Sequence, residues 1–521
     1  MKREELLQRL TPATQLWDII IIGGGATGLG VAVDAATRGY KTLLLEQHDF
    51  AKGTSSRSTK LIHGGVRYLA QGNVSLVLEA LHERGLLLRN APHLVRNQSF
   101  IVPSYDWWEG PFYGIGMKVY DVLAGKLGLG PSRILSREET LAHIPTLEPE
   151  GLRGGVIYHD GQFDDARLAI NLAQTCVEHN GCVLNYMQVK ALLKTRGLIA
   201  GVVAREVETG KEYELHGRCV INATGVYTDA IRRLDEPESE PMIAPSQGVH
   251  LVLDKSFLPG ESAIMVPHTD DGRVLFVVPW HGRALVGTTD TPIDSLSLEP
   301  RALPEEIDFL LRHAGRYLTQ DPQVRDVKSV FAGIRPLVKA GADKATATLA
   351  RDHTMMISKS GLLTITGGKW TTYRKMAEDA VNHAAMLAGL EERPCRTEHL
   401  QIHGGQTHVE IAKPLDVYGA DYEAVQRLVQ ENAAFAQRLH ADLPYYSGEV
   451  IWAVRNEMAR TVEDVLARRT RALLLDARAS IVSAPRVAAL MAKELGQNED
   501  WQKRQVRAYE ELARGYLLTE N

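Results

Sequence analysis

Gly23, Gly25 and Gly28 stand at G-x-G-x-x-G spacing, directly after the apolar run 19–22 and before a helix-compatible stretch, residues 29–38, that Gly39 can end. Glycines so placed let the backbone of Gly23, Gly24, Gly25, Ala26, Thr27 and Gly28 approach a pyrophosphate at a helix N-terminus. Glu46 closes the next apolar run, 42–45, at about the ~20-residue distance where an acid accepts hydrogen bonds from an adenosine ribose. Such an acid favours an unphosphorylated ribose over NADP.

Further clusters can act on what this nucleotide holds. Residues 53–68 pack hydroxyls, bases and glycines together: Thr54, Ser55 and Ser56, then Lys60, Leu61 and His63, the Gly64-Gly65 pair, Arg67 and Tyr68. Hydroxyls and N–H groups bind phosphate oxygens, and a double glycine admits a flat ring. Arg335, in 331–337, and Arg351, in 350–353, can fork onto phosphate or carboxylate, so the pair points to an anionic substrate. Gly367, Gly368, Lys369 and Thr371 join a strand to a helix whose N-terminus can stabilise the negative charge of a reduced flavin. Lys369 adds a positive charge there.

The elements that must position these residues follow from the same chain. Residues 219–222 read as an apolar strand ending in the turn Ala223-Thr224-Gly225. Folds that hold FAD bring a late strand of this kind back beside the first one, so turn and fingerprint together favour FAD. Between them lie a strand at 154–160, an N-cap at Asp164 or Asp165, a helix at 166–180 and strands at 182–185 and 198–207. Alternating runs at 249–253, 274–278 and 284–287 predict a largely antiparallel sheet, followed by a helix at 304–317 and a strand at 361–366. After residue 397 the periodic stretches 422–439, 448–467 and 483–495 predict helices. The expected class is α/β: a Rossmann-like FAD-binding domain from 12–105, 150–232 and 352–390, an antiparallel-sheet substrate domain from 106–149 and 233–351, and a helical C-terminal domain, 391–521.

At 521 residues the chain exceeds one ordinary core, which agrees with several domains. A formal net charge of -5 and the absence of a Lys/Arg block argue against a nucleic-acid partner. Cys176, Cys182, Cys219 and Cys395 show neither C-x-x-C nor zinc spacing, so no metal site and a reducing compartment are expected. Residues 1–10 are charged and lack the apolar core of a secretory signal, which predicts a cytoplasmic protein. No run of ~18 uncharged apolar residues predicts a conventional membrane span. Trp107-Trp108, Phe112, Tyr113, Met117, Tyr120, Ala124 and Leu127, with Lys118 and Lys126, have the helical spacing of a segment that can lie in a membrane interface.

Taken together, Gly23-Gly24-Gly25, Thr54-Ser55-Ser56, residues 60–69, 164–168, 287–290, 333–337 and 368–374 give a chain that, over 18–478, resembles the FAD-dependent glycerol-3-phosphate dehydrogenases. These sit within the wider group of flavin oxidoreductases that includes glycine and D-amino-acid oxidases. The resemblance implies that Arg335 and Arg351 hold a substrate phosphate, with Arg67, Tyr68, His250 and Lys369 nearby. It also implies hydride transfer from C2 of glycerol 3-phosphate to flavin N5, giving dihydroxyacetone phosphate, with electrons passed to a quinone or, in the oxidase branch, to oxygen. Oxidases of that branch are longer and carry an insertion for which this chain has no obvious room, which favours the dehydrogenase. An amine or amino-acid oxidase, with the arginines on a carboxylate, is the rival enzyme; a flavin-bound protein without turnover is the rival of another class. The expected partners are glycerol 3-phosphate, a quinone and the inner face of the membrane, and a homodimer is compatible with the sequence. Oxidation at C2 needs a base for the hydroxyl proton. His63, with an ordinary pKa near ~6.5 and a double glycine to bring it under the flavin, is the first candidate and His250 the next.

Overall fold

A computed structural model describes the chain apart from residues 12–14, 66–72, 108, 268, 271, 340–352, 406–414 and 519–521. The first apolar run is the strand Leu16–Ile22, buried continuously from Ile19 to Ile22, as a central parallel strand covered on both faces must be. Thr42–Leu45 and then Cys182–Leu184 lie parallel on one side of it, and Glu212–Asn222 and then Leu363–Gly367 on the other. The chain therefore reverses its direction of growth beside the first strand, and the crevice beyond the C-terminal ends at that point is where a nucleotide fits. His353–Ile357 closes one edge antiparallel.

The helix Ala26–Thr37 leaves the glycine turn and packs between Asp165–Glu178 and Tyr373–Leu387. Gly30 is required by that packing, since a Cβ there would lie 2.8 Å from the Tyr373 ring. The helix Asp165–Glu178 starts at Asp164, whose carboxylate accepts the Arg167 N–H at 3.1 Å.

The second sheet is largely antiparallel and larger than its sequence signals. Its spine, Ile243–Asp254, pairs with Arg283–Gly287 on one side and along nearly its whole length with Val327–Val338 on the other. Of the segments assigned above to the FAD-binding domain, Leu61–Ile62, Val95–Ser104 and Gly154–Phe163 pair in this second sheet. His63 thus follows directly on an end strand of this second sheet.

The C-terminal helices are shorter than their periodicity suggests. The stretch 422–439 is helical only over Tyr422–Gln430, and 448–467 breaks after Ser447–Asn456, where Met458 takes a φ of 55°. Ala477–Leu495 and Glu499–Arg514 complete the layer, which shares a core with Val252, Trp280, Leu285 and Phe331 of the second sheet. Buried arginines tie the layer to the nucleotide loop: Arg468 and Arg469 hold Asp49 at 2.5 and 2.6 Å, and Arg471 holds Asp165 at 2.9 Å. Each buried ion costs several kcal/mol to desolvate, roughly, so these pairs stand only because their geometry is complete. Among the described residues no helix is long and apolar enough to cross a membrane, and no His, Cys, Asp or Glu cluster suits a metal ion.

Candidate active site

A cleft of about 460 Å³ opens at the reversal point and draws its walls from the glycine turn, Glu46, the 53–68 loop, the turn at 223–225, the Arg335 strand and the turn at 367–371. The glycine turn is closed by hydrogen bonds from Gly23 N–H to the Leu45 carbonyl and from Ala223 N–H to the Ile22 carbonyl, both 2.9 Å. At φ 110°, Gly23 presses on this second turn, where a Cβ would come 2.6 Å from the Ala223 oxygen. A Cβ on Gly28 would lie 1.9 Å from the Gly23 oxygen, so Gly28 shapes the turn and does not face the cleft. Gly25 does face it, and a Cβ there would meet only Ser55 Oγ, at 3.1 Å. Its open side lies over the N-terminus of Ala26–Thr37, which suits a pyrophosphate.

Glu46 lines the cleft and is fixed from behind. Its two oxygens accept from Gly24 N–H at 2.6 Å and His48 N–H at 2.8 Å, while burial pushes its pKa up. Gly24 thereby serves by orienting the acid, and its own Cα is turned from the cleft. Ser55 Oγ accepts the Ala26 N–H at 2.9 Å, Thr54 Oγ1 donates to the Ile334 carbonyl at 2.6 Å, and Trp370 Nε1 donates to the Ser55 carbonyl at 2.9 Å. One hydroxyl loop therefore stitches together the glycine turn, the strand of Arg335 and the turn of Lys369. Thr27, Leu61, Ala223, Thr224, Gly225, Gly368, Lys369 and Thr371 also line the cleft.

Two sequence readings are corrected here. Lys60 and Ser56 do not reach the cleft: the Lys60 ammonium is wholly buried, donating to Asp165 at 2.6 Å and to the Ser56 carbonyl at 2.7 Å, and burial pushes its pKa down to about 7 against the pull of Asp165. It is a strut because a carboxylate from the next helix takes its charge. Gly64 likewise admits protein in place of a flat ring, since a Cβ there would lie 2.5 Å from both Leu81 and the Tyr120 hydroxyl, and neither Gly64 nor Gly65 lines the cleft. Arg67, Tyr68 and Arg351 lie outside the described residues.

Arg335 lines the cleft with its guanidinium laid over Gly248, where a Cβ would come 2.4 Å from Nη2. Nη1 pairs with Asp290 at 3.0 Å and Nη2 donates to the Thr289 carbonyl at 3.0 Å. His250 stacks on Phe331 at 4.9 Å, and its Nε2 sits 2.9 Å from Thr59 Oγ1. Burial first, then the charges of Lys60 and Arg335, hold its pKa well below the usual histidine value, so it is neutral. His63 lines the same cleft. The roles of Asp290 and Thr59 were missed in the sequence because each partner lies far along the chain, 45 residues for Asp290 and Arg335.

A glycine turn on a helix N-terminus, an acid fixed for a ribose and a second sheet that brings Arg335 and His250 to the same cleft define an FAD-dependent oxidoreductase. The family described as FAD dependent oxidoreductase matches residues 18–374, and the C-terminal domain of alpha-glycerophosphate oxidase matches 362–503. The mitochondrial glycerol-3-phosphate dehydrogenase of Homo sapiens is 40% identical over 97% of this chain and 74% of its own length. That of Schizosaccharomyces pombe is 38% identical over 95% of this chain and 86% of its own. The X-ray structure of glycerol-3-phosphate dehydrogenase from Bacillus halodurans complexed with FAD superimposes with a TM-score of 0.80 at 29% identity, covering 100% of this chain and 99% of that one. Glycine oxidase from Geobacillus kaustophilus shares the fold, with a TM-score of 0.53 at 20% identity over 74% of this chain and 99% of its own. The chain belongs to the FAD-dependent glycerol-3-phosphate dehydrogenase family, and its cofactor is FAD.

Proposed function

We propose that the protein oxidises sn-glycerol 3-phosphate to dihydroxyacetone phosphate and that the electrons pass to a quinone. The observation that carries this reading is Arg335, a cation immobilised by Asp290 and a backbone carbonyl on the wall of the nucleotide cleft that also holds His63 and Lys369. Bound FAD supplies a hydride acceptor. Arg335 holds the phosphate with Lys369 beside it, and the family resemblance assigns Arg351 to the same task, with Arg67 and Tyr68 nearby. His63 takes the C2 hydroxyl proton as the C2 hydrogen leaves with its electron pair, so the carbinol becomes a ketone and the charge balances. His250, neutral and pinned by Thr59, orients the substrate beside it.

Anaerobic addition of glycerol 3-phosphate is expected to bleach the flavin band near ~450 nm, whereas an amino acid leaves it unchanged. The reverse pattern would support the amino-acid oxidase reading. Hydrogen peroxide in place of reduced quinone would assign oxygen as the acceptor. Arg335→Ala is expected to lower kcat/KM for glycerol 3-phosphate by about 30- to 1,000-fold, the equivalent of ~2–4 kcal/mol for a lost charge-assisted contact. Removal of the guanidinium also leaves Asp290 without its cation. Unchanged discrimination between glycerol 3-phosphate and glycerol would show that Arg335 does not read phosphate.

The quinone assignment draws support from the helix Glu109–Ala124. Tyr113, Met117, Tyr120 and Ala124 turn inward, while Phe112, Ile115, Val119 and Val122 form an outward apolar stripe, with Ile115 69% and Val122 79% exposed and Trp107 just before it. A face of this kind enters the headgroup boundary of a bilayer, where quinone dissolves. In this reading the enzyme works at the inner face of the cell membrane. Ile115→Glu with Val122→Glu is expected to weaken binding to phospholipid vesicles by about 10- to 100-fold, from the lost burial of two large aliphatic side chains. Quinone reduction in vesicles should fall with it, and reduction of a water-soluble dye should persist. Vesicle binding equal to wild type would remove this helix from the interface.

A further inference from the structure

The peptide between His63 and Gly64 is gripped at both of its polar atoms. Its carbonyl accepts a long bond, 3.5 Å, from Thr371 Oγ1 on the turn after Gly367-Gly368. Its N–H donates to the Tyr120 hydroxyl at 2.8 Å, and Asp160 Oδ1 lies 3.4 Å from the same nitrogen. Tyr120 in turn donates to Asp160, 3.0 Å from either oxygen, and Arg84 Nη1 holds that carboxylate at 2.6 Å. Paired with Arg84, Asp160 acts as an acceptor, so the phenol proton points to it and the phenol lone pairs are left for Gly64 N–H. Burial raises the phenol's pKa well above its ordinary value, which keeps that proton in place.

Tyr120, Asp160 and Arg84 are all buried and none lines the cleft, so they meet neither substrate nor flavin there. The missing side chain of Gly64 has a matching explanation: the space a Cβ would fill is occupied by Leu81 and by the Tyr120 hydroxyl. A base has to sit within hydrogen-bond reach of the proton it takes, and a misplacement of about 1 Å can cost on the order of 10²-fold in rate. We propose that Tyr120 is a positioning residue for the redox reaction, fixing the His63–Gly64 peptide so that the imidazole is aimed into the cleft. This rests on the reading of His63 as the base.

The test is stopped-flow reduction of the holoenzyme flavin by saturating glycerol 3-phosphate without oxygen. Tyr120→Phe keeps the ring and removes the hydroxyl. It is expected to slow reduction by about 10- to 100-fold, with flavin content, melting temperature and substrate affinity at wild-type values. In a protein that also carries His63→Asn, it should add no further slowing, a pattern that a merely structural tyrosine would not give. If His63→Asn is slow and Tyr120→Phe reduces within twofold of wild type, the positioning role fails alone. If His63→Asn itself reduces at the wild-type rate, the base reading fails and the proposal with it. Additive losses in the double variant would also overturn it, because Tyr120 would then act by another route. Should Tyr120→Phe not fold, Asp160→Asn, which loosens the phenol without removing it, is read in the same double-variant comparison.

Discussion

His63→Asn is expected to slow anaerobic flavin reduction by about 10²–10⁴-fold while substrate affinity and flavin content stay near wild type. Asparagine keeps a hydrogen-bonding group of similar size but accepts no proton at neutral pH. The wild-type rate should rise with pH through one ionisation that the variant lacks, because a base works only when deprotonated. The surroundings of His250 make it the weaker candidate. Burial, Lys60 and Arg335 hold the His250 pKa well below its ordinary value, which makes it a weak proton acceptor, and Thr59 engages its Nε2. A His63→Asn protein that reduces flavin within a few-fold of wild type would move the base to His250 or to a water held by the arginines.

Gly25→Val is expected to give a folded, colourless protein, with FAD binding lost by more than about 10³-fold as the pyrophosphate is shut out of the helix N-terminus. The Cβ itself meets nothing closer than Ser55 Oγ at 3.1 Å, so the damage comes from methyl groups projected into the cleft and not from a clash within the protein. Gly28→Val is the matching control. Its Cβ would lie 1.9 Å from the Gly23 oxygen, so loss of soluble protein is expected there, where Gly25→Val should lose only its cofactor. A yellow Gly25→Val protein with full flavin content would contradict the assignment of this turn. The contrast separates a glycine that makes room for a ligand from one that makes room for the backbone.

The sequence by itself determined the nucleotide half of this protein. The strand Leu16–Ile22, the glycine turn, the helix and Glu46 depend on β-branched runs, positive φ and a helix terminus, and all of these act within about 30 residues. The second sheet was legible only in part. Val95–Ser104 and Val327–Val338 belong to it through partners supplied by distant segments, and nothing local in their patterns says which sheet will take them. Helical periodicity likewise overran the break at Met458, where the chain turns so that Arg468, Arg469 and Arg471 can reach Asp49 and Asp165. Side-chain destinations were decided by the tertiary structure. Lys60 and Arg335 are both cations in glycine-containing motifs near the same cleft, yet Lys60 is drawn inside by Asp165 while Arg335 is held at the wall by Asp290. An ion goes where a partner repays its desolvation, and a partner 45 or 105 residues away along the chain is placed by the fold and not by local spacing.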